Sequence, residues 1–277
     1  MAIKTDFPIL RISKSEAVRL VKKDGKQLRF LHSSFSNSSK IVYHAIRQNP
    51  FALKYASTRL KGDTDLVMMA SFKNGNAFRH ATDELKRNLS LISLILSSST
   101  NASILGHCDK HLLADEEVMY SFIQIMPQSI QYASDELPGS RLFLLRCLRI
   151  NGLVYRYLPQ GLMEDELLIR VAVEENYQAL AFAPMTLRRE ATFVKHLSGI
   201  DHRTLLFCSG KLKANREFAL ELVRKNPLCI RMLNPKLFSD KDVVLTALRG
   251  DSTLFPFCSN ELLKDPDIQS LVHGHLS

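Results

Sequence analysis

The sequence predicts an all-α protein, a right-handed α-solenoid of ten short helix-turn-helix repeats with a period of 25 residues. Three observations predict this fold. A leucine returns at this period along most of the chain, as in stacked repeat proteins. Two columns of short polar residues keep the same register, and the apolar residues between them follow helical spacing. The leucines are Leu60, Leu85, Leu112, Leu137, Leu162, Leu187, Leu212, Leu237 and Leu262, and Phe35 precedes them in register.

The two polar columns predict two helix starts per repeat, because short oxygen-bearing side chains satisfy the free amides of a helix's first turn. Helix A would have about nine or ten residues and helix B about seven or eight. Eleven residues before the leucine stand Asp24, Asn49, Asn74, Asn101, Asn151, Asn176, Asp201, Asn226 and Asp251, with Met126 as the exception. Three residues after it stand Ser38, Asp63, Asn88, Asp115, Ser140, Asp165, Asn215, Asp240 and Asp265, with Glu190 as the exception.

This register divides the chain into a leader or cap at residues 1–12, ten hairpin repeats, and a capping helix at 265–277. Stacked in this way, the repeats would form a TPR-like superhelix with one extended concave surface. The repeat 88–114 has two extra residues in an unusually apolar stretch, which predicts a lengthened helix A. The repeats are 13–37, 38–62, 63–87, 88–114, 115–139, 140–164, 165–189, 190–214, 215–239 and 240–264.

Composition and charge limit the classes of protein to which this chain can belong. No apolar run reaches the roughly 18 residues that a membrane span needs. The five cysteines include no CxxC pair, and Cys108, Cys208 and Cys258 share one small-residue column of helix B. We expect them to be reduced core residues of a cytoplasmic protein. The formal net charge of +9 favours an acidic partner.

Part of this charge is organised in two columns. The helix A ladder lies near the end of helix A, where cations also complement the helix dipole. It consists of Arg19, Lys22, Arg47, Arg146, Arg149, Arg224 and Arg249. The helix B ladder lies in the middle of helix B, where the dipole does not account for it. It consists of Arg29, Lys54, Arg79, Arg156 and Arg231.

Catalytic chemistry has little support in the sequence. His107 and His111 form an i, i+4 pair that could bind zinc on a helix. However, Cys108 belongs to a core column, so we interpret the group as structural. No glycine-rich phosphate loop and no GxSxG motif is present. We therefore expect no catalytic residues, no metal and no cofactor.

Several segments resemble a family of uncharacterised helical repeats. They are YHAIRQNPFALKYASTRLKGD at 43–63, ADEEVMYSFIQIMPQSIQYASDEL at 114–137 and EDELLIRVAVEENYQALAFAPMTLR at 164–188. The shared pattern is an acidic start, an Ala-Val pair, Asn with Gly or Pro, then Ala-Leu-x-Tyr-Ala-Ser and a closing Leu. Such repeats occur in Legionella effectors and in some protists and algae. The resemblance implies a secreted effector translocated into host cytosol, or a regulator of an effector, and brings no catalytic residues.

The leading hypothesis is a non-enzymatic scaffold that binds another protein, an effector or a host protein, with an acidic or mixed-charge surface. By analogy with other hairpin solenoids, helix A and its ladder would line the concave groove. The alternatives are a nonspecific binder of nucleic acid or anionic lipid, and an enzyme with its site in the irregular repeat 88–114.

Overall fold

The computed structural model describes residues 12–100 and 102–273, and all regular elements in these residues are helices. The prediction of an all-α fold is therefore confirmed. The chain forms two compact units, residues 1–140 and 141–277. Most of the predicted leader, and the predicted cap Asn101, lie outside the described residues. The subdivision into ten repeats stays a prediction.

In the first unit, the described residues repeat a sequence of three helices: a long α-helix, a 3₁₀ helix and a short α-helix. The long helices are α1 (Lys14–Lys23), α2 (Ser39–Gln48), α3 (Thr64–Lys73), α4 (Leu89–Ser97) and α5 (Glu116–Ile125). The 3₁₀ helices are Gly25–Phe30, Pro50–Tyr55, Gly75–His80, Ser103–His107 and Pro127–Tyr132. The short helices are Ser33–Ser36, Thr58–Lys61, Asp83–Lys86, Lys110–Ala114 and Glu136–Gly139.

The second unit has the same order of elements. Its long helices are α6 (Arg141–Ile150), α7 (Glu166–Glu175), α8 (Ala191–Ile200), α9 (Arg216–Lys225), α10 (Lys241–Gly250) and α11 (Pro266–His273). The 3₁₀ helices that follow are Gly152–Tyr157, Tyr177–Phe182, His202–Phe207, Pro227–Met232 and Ser252–Phe257. The third elements are the short α-helices Met185–Arg189 and Gly210–Lys213 and the 3₁₀ turns Gln160–Leu162, Pro235–Ser239 and Leu262–Lys264.

The long helices begin where the second polar column predicts. The Asp63 carboxylate accepts a hydrogen bond from the Leu66 amide at 3.1 Å, and Asp165 and Asn215 cap their helices in the same way. The Ser38 side chain makes no capping hydrogen bond. Ser13 and Glu16 form the reciprocal capping box of α1. Glu190, the exception in the column, also caps its helix, since its carboxylate accepts from the Phe193 amide at 2.5 Å.

The second helix differs from the prediction. It starts at the predicted cap, where for example Asn49 Oδ1 accepts from the Phe51 amide at 3.0 Å. It is a six-residue 3₁₀ helix, however, and the chain is already extended at Ala56. Leu53 and Ala56 stand three residues apart, a spacing that α and 3₁₀ helices share. Over so few residues the sequence pattern cannot separate the two.

The periodic leucine lies in a third helical element, for which the two-helix repeat predicted from the sequence has no counterpart. Leu60 is fully buried there, and its amide donates to Ser57 Oγ at 3.3 Å. A third column of capping residues, three residues before the leucine, was missed at the sequence level. Its capping members are Ser57, Asp109, Ser209, Asn234 and Ser259. Thr82 and Ser134 stand in the same column, but their hydroxyl groups make no capping hydrogen bond.

The same column connects successive repeats through the backbone. Within the first unit the Thr82 amide donates to the Lys61 carbonyl at 3.1 Å, and within the second the Asn234 amide donates to the Lys213 carbonyl at 3.0 Å. Pro184 has no amide proton to donate. At that step the Tyr155 hydroxyl donates to the Met163 carbonyl instead.

Packing within each unit brings consecutive long helices side by side, and consecutive 3₁₀ helices likewise. Glycine permits the closest approach between them. A Cβ atom at Gly25 would lie 2.3 Å from the Ala45 carbonyl oxygen, and one at Gly152 would lie 2.0 Å from that of Ala172. The cysteines are free thiols, four buried and Cys108 partly exposed.

The irregular repeat also corrects a prediction. Helix α4 has nine residues, one fewer than the helices beside it, so the two extra residues do not lengthen helix A. They fall in the connection between Ser98 and Ala102, before the next 3₁₀ helix. Among the described residues, no helix has the length and apolarity that crossing a membrane requires.

Candidate protein-binding surface

Exposed cations mark the C-terminal part of several long helices. Six of the seven helix A ladder residues are exposed, and within residues 12–100 and 102–273 none of the six has a carboxylate at ion-pair distance. They are Arg19, Lys22 and Arg47 in the first unit and Arg149, Arg224 and Arg249 in the second. We call each group the basic edge of its unit. Arg146 is half-buried and does not share this exposure.

In the first unit the structure brings these cations together. Partial burial, followed by the charges of Lys22, Lys40 and Arg47, lowers the pKa of His44 below its usual value. The Lys73 ammonium group donates to the Arg47 carbonyl, which places the ends of α2 and α3 side by side. Like charges therefore accumulate at this edge, and among the described residues none of these cations has a carboxylate at ion-pair distance.

The opposite, N-terminal ends of several long helices of the second unit are electrostatically paired. In the second unit the first residue of a long helix binds the capping carboxylate of the next one. Arg141 contacts Asp165 at 2.9 Å, Arg216 contacts Asp240 at 2.7 Å and Lys241 contacts Asp265 at 2.8 Å. The pairs align the N-terminal ends of neighbouring helices. They neutralise charge at one end and leave the cations unpaired at the other.

Exposed apolar side chains share the C-terminal ends with the cations. Phe72 on α3 is 42% exposed, Ile125 on α5 is 39% exposed and Ile200 on α8 is 37% exposed. They occupy, or directly follow, the position that Lys22 and Arg47 hold on α1 and α2. Glu174 holds the same position on α7, so the edge of the second unit is of mixed charge.

The helix B ladder has a different environment. Its cations lie on exposed positions of the 3₁₀ helices, but each lies over an aromatic ring. Arg156 lies 5.0 Å from the ring centre of Phe182 in the next repeat, and Arg231 lies 5.4 Å from that of Phe257. Arg79 lies 5.4 Å from the Phe51 ring, while Arg29 and Lys54 lie over the adjacent Phe30 and Tyr55. Cation–π contacts, three of them between repeats, account for a column that helix dipoles did not explain.

Apart from Phe51, these rings belong to a column that the sequence analysis missed. Five residues before the leucine, every repeat has a half-buried ring or methionine. The column reads Phe30, Tyr55, His80, His107, Tyr132, Tyr157, Phe182, Phe207, Met232 and Phe257. A further cation, Arg203, lies 4.2 Å from the Tyr177 ring and also binds Asp201 at 2.6 Å. The signal was present in the sequence as an aromatic column beside a basic one.

The two histidines of the irregular repeat have different surroundings. His107 Nε2 bonds Asn76 Oδ1 at 3.0 Å, whereas His111 is exposed on Lys110–Ala114. Burial raises the pKa of the Cys108 thiol to about 12. In the part of the chain that the structure describes, no three His, Cys, Asp or Glu side chains are placed to hold a metal ion.

Comparison with known proteins connects these repeats to one family model. Residues 17–61, 40–86 and 193–238 match a model described as a domain of unknown function (DUF4116). The overlapping matches are consistent with a repeated helical element. They include the repeat 38–62, where the resemblance was predicted to be good, but not 115–139 or 165–189. No curated protein and no solved structure gives a significant match.

Proposed function

We propose that this protein is a non-enzymatic helical-repeat scaffold of the α-solenoid type that binds another protein through its basic edges. The partner presents an acidic or mixed-charge surface. The resemblance to repeats of bacterial effectors suggests that the partner is another effector or a host protein. In that case the scaffold either acts in the host cytosol after translocation or regulates another effector.

One observation carries the proposal: exposed, unpaired cations and exposed apolar side chains occupy the same ends of the long helices. Protein interfaces combine arginine with aromatic and aliphatic anchors. A surface that binds only phosphates has no use for Phe72, Ile125 and Ile200, and the mixed charge at Glu174 weakens attraction for a polyanion. We therefore favour a protein partner.

The experiment compares two pairs of charge reversals within the same two repeats. Arg149→Glu with Arg224→Glu changes the basic edge, whereas Arg156→Glu with Arg231→Glu changes the ring-stacked helix B ladder by an equal charge. Affinity capture from the native host, followed by mass spectrometry, is expected to lose its partner only with the first pair. Equal retention by both folded variants would contradict the assignment of the edge.

A polyanion binder is the second candidate, because residues 14–110 contain sixteen Lys or Arg and seven Asp or Glu. This function predicts affinity for RNA, DNA or anionic vesicles that falls steeply with salt. It also predicts that both pairs of charge reversals weaken binding to a similar degree. The same two variants therefore separate the two candidates.

A further inference from the structure

An open cleft of 480 Å³ lies in the first unit, where the irregular repeat meets the repeat before it. Its lining includes Arg79, Lys86, Arg87, His107 and Lys110, contributed by two 3₁₀ helices and two short α-helices with the residues beside them. The cleft does not overlap the basic edge of that unit. No role described above accounts for the convergence of these side chains.

Two carboxylates also line the cleft, and each has its own cation. Arg87 Nε lies 2.5 Å from Asp109 Oδ2, and Lys86 Nζ lies 3.2 Å from Asp83 Oδ1. Arg79 and Lys110 line the same cleft, and within the described residues neither has a carboxylate at ion-pair distance. Positive charge therefore exceeds negative charge in the cleft by these two groups.

Arg79 has hydrogen-bond donors available for a ligand in the cleft. Arg79 Cζ lies 5.4 Å from the centre of the Phe51 ring, and the guanidinium group has five N–H donors. One of these groups, Nε, donates to His80 at 3.3 Å. His107 Nε2 donates to Asn76 Oδ1 at 3.0 Å, so in the neutral imidazole Nδ1 is a hydrogen-bond acceptor, and His107 donates to a phosphate oxygen only when the ring is protonated.

The surrounding charges also change the pKa of the His107 imidazole. Burial, then the charges of Arg79 and Lys86, lower the pKa of His107. The local potential is therefore positive even though Asp83 and Asp109 lie nearby. A bound dianion would offset this potential.

From this arrangement we propose that the cleft binds a phosphate monoester group, held by Arg79 and Lys110 and flanked by His107. A dianion with three terminal oxygens suits donors that approach from several elements, and arginine binds such oxygens in bidentate fashion. The open shape admits a group presented on a phosphorylated side chain or on a small molecule. The inference stands independently of the basic edge.

The test uses the full chain and three probes: inorganic phosphate, a phosphoserine peptide with otherwise neutral residues, and the same peptide without phosphate. Calorimetry is expected to show saturable binding of the phosphorylated peptide and none of its unphosphorylated form. Tighter binding of the peptide than of inorganic phosphate would assign the site to a phosphorylated side chain. Equal binding would assign it to small phosphate compounds.

Variants locate the binding. Lys110→Gln is an exposed change that we expect to preserve the fold, and it should weaken binding about tenfold, as the loss of one charge-assisted hydrogen bond does. Arg79→Gln should have a similar effect. Arg156→Gln with Arg231→Gln removes two cations from the other unit and should leave the affinity unchanged. Absence of saturable binding by the wild-type chain, or an equal loss in this control, would overturn the proposal.

Discussion

Single glycines set how closely the helices of neighbouring repeats approach. At Gly152 an added Cβ would meet the Ala172 carbonyl, a backbone atom that cannot rotate away. Gly199 on α8 has no neighbouring atom within 4 Å of such a Cβ. The two positions therefore make a matched pair.

We expect Gly152→Ala to lower the free energy of unfolding by about 1–3 kcal/mol, because the backbone must shift to admit a methyl group. Gly199→Ala should leave stability unchanged or raise it by about 0.5–1 kcal/mol, since alanine is the better helix former. Urea unfolding of both variants is the measurement. Equal stability of the two would refute the account of close packing at Gly152.

His80 provides a titrating residue within the repeat contacts. Burial, followed by the charges of Arg79, Lys61, Lys54 and then His107, lowers its pKa from 6.5 to about 4. Above pH 6.5 the imidazole is neutral in both the folded and the unfolded chain, so it contributes nothing to the pH dependence. Between pH 6.5 and 4 the unfolded chain binds a proton that the folded chain does not, and stability falls with falling pH.

We expect His80→Gln to reduce the slope of stability against pH between pH 6.5 and 4, measured by urea unfolding at several pH values. The lowered pKa of the capping carboxylates Asp109 and Asp240 acts in a separate window, below their usual 3.8. A variant with the same slope as the wild type would show that His80 is not held neutral.

At the scale of the element, the contact between a 3₁₀ helix and the next one depends on pairs such as Arg156 and Phe182. A double-mutant cycle with Arg156→Gln and Phe182→Leu should give a coupling energy of about 0.5–1 kcal/mol. The matched control combines Arg189→Gln with Phe182→Leu, because Arg189 is exposed and has no ring contact among the described residues. Coupling of similar size in both cycles would argue against cation–π stacking.

For these elements, the sequence predicts local features of a helix but not its contacts with the next repeat. The starts of the long helices were predictable because a cap is a local interaction, and Asp63 needs only its own next turn. The 3₁₀ character of Pro50–Tyr55 was not predictable, since α and 3₁₀ helices share a three-residue spacing. The Arg156–Phe182 contact joins residues of different repeats. The basic column could therefore be recognised in the sequence, but its cation–π contacts with the rings could not.

The basic edge also depends on contacts between repeats that the sequence does not show. The sequence identified Arg149, Arg224 and Arg249 as recurring cations, but periodicity alone could not show which cations are paired. The structure shows that cations at the start of three long helices of the second unit, Arg216 among them, bind carboxylates of the next repeat. The structure also places the exposed apolar side chains of Phe72 and Ile200 at these helix ends. Neither residue is among the site residues predicted from charge.

At the scale of the whole molecule, both units have, among the described residues, exposed cations without ion pairs near the C-terminal ends of long helices, and in the second unit the N-terminal ends are paired. If a protein partner binds the unpaired ends, its affinity depends on apolar contacts as well as on charge. A polyanion would depend on charge alone. The exposed apolar residues therefore provide the sharpest distinction between the two functions.

The most direct measurement is the affinity of the captured partner for a variant that keeps every charge, Phe72→Ala with Ile200→Ala. We predict at least a tenfold loss, which corresponds to about 1.4 kcal/mol and is within the range of interface anchors. Binding of single-stranded RNA by the same variant should be unchanged, and circular dichroism should confirm the fold. Undiminished affinity for the partner would contradict the proposal that these helix ends form a protein-binding surface.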